Sequence, residues 1–172
     1  MMMRRDARAM GTRIELLLVP DGDGRDPEHA LDDALAESVR IEEIASRVRP
    51  GSELSRLNAT GTLVVSVDLL RLIGLALALR EVTGGRFDPT VHAAVVAAGY
   101  DRTFDEVPCN GPPPGAARPG GGRVEVDPRT GRVTLAPGVR IDLGGVAKGW
   151  AADRAADVLG TAGACLVNAG GD

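Results

Sequence analysis

Apolar and polar positions alternate along the chain in short stretches of two different periods. Residues 12–19 are rich in Ile, Leu and Val, and Pro20 ends them, which predicts a short buried strand. Asp26 followed by Pro27 has the form of a helix start, an N-cap and then a proline in the first turn. Ala30, Leu31, Ala34, Leu35, Val39, Ile41, Ile44 and Ala45 then form an apolar stripe at helical spacing. The stripe predicts a helix to about Val48, broken by Pro50 and Gly51. Residues 52–58 read as a short helical turn capped by Ser52. Ser66 or Asp68 caps a second long helix over 67–82, closed by Gly84 and Gly85. Residues 89–98 form a third, short helix.

The second half has a different texture. Residues 109–123 are rich in proline and glycine, lack apolar periodicity and read as loop. Residues 124–126 and 132–135 read as a hairpin around Pro128, Arg129, Thr130 and Gly131. A strand is expected at 139–143, an alanine-rich helix from Gly145 to about Leu159, and a last strand at 164–168 with its exit turn at 169–172. Strands and helices alternate irregularly and a hairpin is present. The fold class is therefore α+β, a sheet packed with helices, and not a doubly wound parallel sheet. No internal repeat is evident.

Composition narrows the function classes. The chain has 172 residues and only four aromatic ones, so its core is built from Ala, Val, Leu and Ile. A net charge of −4 gives no broad attraction to nucleic acid or to anionic lipid. Lys148 is the only lysine among the 20 Lys and Arg residues. GC-rich coding explains a general bias toward Arg, but Arg and Lys are not interchangeable at a tight site. Cys109 and Cys165 form no CxxC pair, and His29 and His92 are too scattered for a histidine-based metal site. Asp21 to Gly24 faintly resemble a calcium loop, but Asp26 and Asp32 stand where such a loop needs Gly and Glu. No signal-peptide apolar region and no run of about 18 apolar residues is present. The longest apolar segment, 69–79, is interrupted by Arg71 and Gly74. A cytoplasmic location is expected.

Four segments carry candidate chemistry. In Ile141-Asp142-Leu143-Gly144-Gly145-Val146-Ala147-Lys148-Gly149, a strand delivers an Asp, two glycines follow and a helix begins. Open backbone N–H groups and a helix N-terminus suit an anion, and Lys148 lies one turn further on. The pattern is neither a Walker A loop nor GxGxxG. A plain strand-to-helix turn and a phosphate or nucleotide site both remain open for this segment alone. In Thr83-Gly84-Gly85-Arg86-Phe87-Asp88-Pro89-Thr90, the glycines permit positive φ and the proline extends Asp88, whose first reading from this segment alone is a helix cap. Asn168-Ala169-Gly170-Gly171-Asp172 and Met10-Gly11-Thr12 are uninformative singly.

Taken in order, these segments and Ser52 to Asn58 (Ser-Glu-Leu-Ser-Arg-Leu-Asn) resemble the FAD:protein FMN transferases of the ApbE family. The family carries Met-Gly-Thr, Thr-Gly-Gly-x-Phe-Asp-Pro-Thr-Val, Asp-Leu-Gly-Gly-x-Ala-Lys-Gly and Asn-x-Gly-Gly-Asp, matched here at 10–12, 83–91, 142–149 and 168–172. The resemblance runs from about Met10 to the last residue. It implies an enzyme that splits the pyrophosphate of FAD with Mg²⁺, joins FMN to a Thr or Ser of a target flavoprotein, and releases AMP. By family position, Met10, Arg86, Phe87, Asp88, Asp142 and Lys148 would line the FAD site, and the Gly145 carbonyl would face the metal. The resemblance assigns no catalytic residue. Asp88 and Asp142 are expected to lie close in space.

Two departures qualify the resemblance. Val48 stands where the family often has an aromatic ring, which leaves less area for stacking. Family members also run well beyond the Asn-x-Gly-Gly-Asp turn, with the main metal ligands in that second half. Residues 1–172 are thus expected to be a partial transferase domain with an incomplete version of the ApbE-like fold, inactive alone and prone to self-association. The alternatives are a non-catalytic FAD-binding or interaction module, and a degenerate remnant without stable function.

Overall fold

A computed structural model describes residues 1–22, 24–102 and 120–170. Antiparallel strands pack with helices, as the α+β expectation has it. The chain divides into two compact units, residues 1–42 with 147–172, and residues 43–146.

The first unit holds a three-stranded antiparallel sheet in the order β1-β2-β6, with β1 at Met3–Ala9, β2 at Thr12–Pro20 and β6 at Gly163–Ala169. Met10 and Gly11 make the β1–β2 turn with φ of 56° and 68°, the pair of positive values that a tight hairpin turn requires. Ile14, Leu16 and Leu18 alternate along β2 and are fully buried. They share a core with Ala30, Leu31 and Ala34 of α1 (Pro27–Ala45) and with Ala155 and Leu159 of α5 (Gly144–Leu159). Buried Ala147, Ala151, Ala155 and Leu159 recur every four residues, so α5 buries one apolar stripe, alanine at three positions and leucine at the last.

The second unit holds α2 (Glu53–Thr60), β3 (Thr62–Val64), α3 (Val67–Val82), α4 (His92–Ala97), β4 (Val124–Asp127) and β5 (Arg132–Leu135). Its sheet is antiparallel in the order β3-β5-β4. Ser52 caps α2 by accepting from the Ser55 N–H at 3.0 Å, and Ser66 caps α3 by accepting from the Leu69 N–H at 3.3 Å. The Glu53 carboxylate accepts from the Ser66 N–H at 2.7 Å and links the two helix starts. Leu54, Leu57, Leu69, Leu72, Ile73, Val133, Leu135, Ile141 and Leu143 are among its large buried apolar residues.

Several expectations need correction. The strand from Thr12 is the second one, preceded by β1, and β3 was not foreseen. Helix α1 stops at Ala45, because the Ser46 hydroxyl accepts from the N–H groups of Val48 and Arg49 and turns the chain. Within α1, Ser38 is buried and Val39 is exposed. The buried Ser38 hydroxyl donates to the Ala34 carbonyl at 3.1 Å. Helix α4 begins at His92 and not at 89. Residues 139–143 join no sheet. Cys109, Gly171, Asp172 and most of the expected loop at 109–123 lie outside the described residues. Among the described residues, no helix is long and apolar enough to cross a membrane.

Candidate functional site

Three stretches of the second unit converge. The first follows α3. The Gly84 and Gly85 N–H groups donate to the carbonyls of Glu81 and Arg80 at 3.0 and 2.8 Å, closing the helix with positive φ at both glycines. The Thr83 hydroxyl accepts from the Phe87 N–H at 3.1 Å and fixes where Phe87 leaves the turn. Asp88 then acts as a hub. Its Oδ1 accepts from the Thr90 N–H at 2.8 Å and the Thr90 hydroxyl at 2.7 Å. Its Oδ2 accepts from the Gly121 N–H at 2.7 Å and faces Arg80 Nε at 3.4 Å. Burial pushes the Asp88 carboxyl up, but the Thr90 and Gly121 donors and Arg80 outweigh it and hold the group below the usual aspartate value.

The second stretch is Gly120-Gly121-Gly122, laid against that hub. The Gly122 N–H donates to the Thr90 hydroxyl at 3.0 Å, and its carbonyl accepts from Arg80 at 2.8 Å. A Cβ on Gly120 would sit 2.3 Å from Asp88 Oδ2, and one on Gly122 would sit 2.7 Å from a Val139 methyl. Only glycines permit this approach.

The third stretch enters α5. The Asn58 side chain donates to the Ile141 carbonyl and accepts from the Ile141 N–H, both at 2.8 Å. The next N–H, of Asp142, donates to the Pro89 carbonyl at 2.8 Å. That bond sets Asp142 beside the residue that follows Asp88. Asp142 Oδ1 accepts from the Gly144 N–H at 2.7 Å at the start of α5, and Oδ2 pairs with Arg47 Nε at 2.7 Å.

Together they enclose an open cavity of about 580 Å³. Phe87, Val91 and Val95 make its apolar part, and Gly85, Gly120 and Gly121 give it flat backbone walls. Arg86, Asp88, Asp142 and Gly145 contribute the polar part. A Cβ on Gly145 would lie 2.9 Å from the Phe87 ring. The volume and the mixed lining suit a small-molecule ligand, and the N-terminus of α5 favours an anionic group on it. His92, half-buried, is held below the usual histidine range by burial; Asp142 pulls the other way, and Arg140 and Arg47 add to the depression.

Five of the residues singled out from the sequence therefore share one cavity: Arg86, Phe87, Asp88, Asp142 and Gly145. Met10 and Lys148 belong to the other unit. Met10 sits in the β1–β2 turn, partly buried against that unit's core, and Lys148 lies one turn into α5. Sequence reasoning gave no role to Asn58, Arg80, Arg47 or the 120–122 glycines. The glycine run is the one usable signal in the sequence, and by composition alone it reads as loop.

The cavity does not fit magnesium by its described residues alone. Mg²⁺ takes octahedral oxygen ligands, usually with one or two carboxylates. Each oxygen of Asp88 and of Asp142 already holds an internal partner, so neither carboxylate is presented free to a metal as the residues stand, and the Gly145 carbonyl is a further oxygen at this site. No group of three or more His, Cys, Asp or Glu gathers to hold a metal among the described residues.

The family model of the ApbE family matches residues 10–172. The chain belongs to the ApbE family. Solved structures of other members share its fold. The ApbE protein of Thermotoga maritima is 26% identical with a TM-score of 0.82, matched over 99% of this chain and 57% of its own. The flavin transferase ApbE of Vibrio cholerae is 22% identical with a TM-score of 0.81, matched over 99% and 58%. The flavinyl transferase ApbE of Pseudomonas stutzeri, in its apo form, is 21% identical with a TM-score of 0.84, matched over 99% and 59%. This ApbE-family chain thus spans less than two thirds of the length of these relatives. Among curated proteins, none matches it.

Proposed function

We propose that this ApbE-family chain carries the FAD-binding part of a flavin transferase that moves FMN from FAD to a Thr or Ser of a target flavoprotein. The observation that carries the reading is the convergence of Arg86-Phe87-Asp88 with Asp142 and Gly145, distant in sequence, on one cavity at the start of a helix. An apolar wall of Phe87, Val91 and Val95 suits a ring system. Arg86 and the α5 N-terminus suit phosphates.

In the reaction so read, the acceptor hydroxyl oxygen bonds to the phosphorus of the FMN moiety and loses its proton. The bond from that phosphorus to the bridging oxygen breaks, and AMP leaves with the bridging oxygen. The chain's own residues bind and orient the dinucleotide.

The narrower reading, FAD binding without transfer, is favoured by the engagement of Asp88 and Asp142 with internal partners. Titrating the 172-residue chain with FAD tests the common part, and Lys148→Ala should weaken binding by roughly 1–3 kcal/mol if it reaches the same anion. No saturable FAD binding would refute both readings. Incubation with FAD, Mg²⁺ and an acceptor flavoprotein, read by intact mass, separates them. An acceptor that gains the mass of FMN only with this chain present supports transfer.

A further inference from the structure

Asp142 poses an electrostatic problem. Its side chain is only 9% exposed, yet it lines a cavity read as the place of an anionic dinucleotide. A carboxylate there repels phosphate unless something cancels its charge. Arg47 does so: its Nε stands 2.7 Å from Asp142 Oδ2, and its side chain is 19% exposed. A terminal nitrogen of the same guanidinium donates to the Tyr100 carbonyl, so the fork is fixed at two points. The backbone that carries Arg47 is fixed as well. The Ser46 carbonyl accepts from the Ser52 and Ser55 hydroxyls at the start of α2, and the Ser46 hydroxyl accepts from the Val48 and Arg49 N–H groups. Arg47 does not itself line the cavity.

We infer that Arg47 is a positioning residue of the nucleotide site. It cancels the charge of Asp142 from behind and holds its carboxylate so that Oδ1 keeps the Gly144 N–H in place at the start of α5. This role rests on the FAD reading of the cavity. It acts entirely through Asp142, which sets it apart from general support of the fold.

The test is a double-mutant cycle on the 172-residue chain, reading FAD affinity by quenching of flavin fluorescence, with far-UV circular dichroism as the check on folding. Arg47→Met should weaken FAD binding roughly tenfold or more when Asp142 is present, and less than about threefold in an Asp142→Asn background. Arg47→Lys keeps a charge near Asp142 but loses the fork that also reaches Tyr100, and should bind FAD clearly better than Arg47→Met at low salt, up to about fivefold below the unaltered chain. Equal losses in both backgrounds, or no loss, would overturn the role. So would an Arg47→Lys chain that folds but binds as poorly as Arg47→Met. If Arg47→Met does not fold, the Arg47→Lys result decides. Absence of FAD binding by the unaltered chain would instead overturn the reading of the cavity, and this role with it.

Discussion

The side-chain amide of Asn58 forms a closed ring of two hydrogen bonds with the backbone N–H and carbonyl of Ile141, each 2.8 Å long. It does for residue 141 what a neighbouring strand would do. Ile141 is buried, so these backbone groups have no water to fall back on. The clamp fixes the stretch that delivers Asp142 and Gly145 to the cavity.

Replacing Asn58 with Leu keeps the size of the side chain and removes both bonds. Leaving a buried N–H and carbonyl unpaired should cost roughly 2–4 kcal/mol, and residues 140–145 should lose protection first. Amide hydrogen exchange of Asn58→Leu against the parent checks this. Unchanged exchange at residues 141–144 would show that the clamp is dispensable.

The same clamp shows why part of the fold was legible in the sequence and part was not. Residues 139–143 read as a strand but form none, because the partner that satisfies the Ile141 backbone is a side chain from α2 and not a neighbouring strand. The Ser52 and Ser66 caps and the bounds of α3 were legible, because caps and apolar runs are local signals. Strand β1 was missed because its half-buried row includes Arg5, which pairs with Glu28 and Asp32 of α1. A charge that finds two carboxylates can occupy a position where a pattern of apolar residues is sought. At the site, the glycine-flanked Asp88 and Asp142 stood out, but the arginines behind them did not. In a chain with Arg almost everywhere and Lys at one position, composition hides Arg47 and Arg80.

The glycine wall gives a sharper test of the cavity. A methyl on Gly120 would come within 2.3 Å of Asp88 Oδ2 and 3.0 Å of the Thr90 hydroxyl, both held by hydrogen bonds. Gly120→Ala should therefore push the segment away from Asp88, break the Gly121 N–H bond, and destabilise the second unit by roughly 1–3 kcal/mol. Gly149→Ala, with nothing within 4 Å of the added methyl and a place in the interior of α5, is the control and should be neutral or stabilising by up to about 1 kcal/mol. Urea denaturation of both variants checks the contrast, and equal midpoints would remove the case for a constrained wall.

Acid should expose the Asp88 hub. Its carboxyl is held below the usual aspartate value in the folded chain. Unfolding therefore takes up a proton at pH values between the folded and unfolded pKa. The stability from this group is fully present above the unfolded value and is lost as pH falls through the folded one. Asp88→Asn should lower stability near neutral pH and flatten its decline on the acid side. Urea midpoints measured from neutral pH down to about pH 3 test this. A variant with the same acid slope as the parent would place the acid sensitivity elsewhere.

Gly145 faces the ring of Phe87, and a Cβ there would stand 2.9 Å from the ring edge and 3.6 Å from the next ring carbon. The contact lies inside the cavity, where Phe87 has open space on one side, so the ring can move while the core stays intact. Gly145→Ala should cost roughly 1 kcal/mol or less in stability, because alanine suits a helix better than glycine and offsets part of the crowding. Its effect on a ligand should be larger. A displaced ring narrows the slot and separates the apolar wall from the N–H groups that begin α5. Gly145→Ala/Phe87→Ala removes the clash and should recover part of the FAD affinity lost in Gly145→Ala, although Phe87→Ala alone weakens binding. Isothermal titration of the three variants with FAD measures this directly. Losses that simply add would mean the two residues act on the ligand independently, and that the ring contact is not what Gly145 is kept small for.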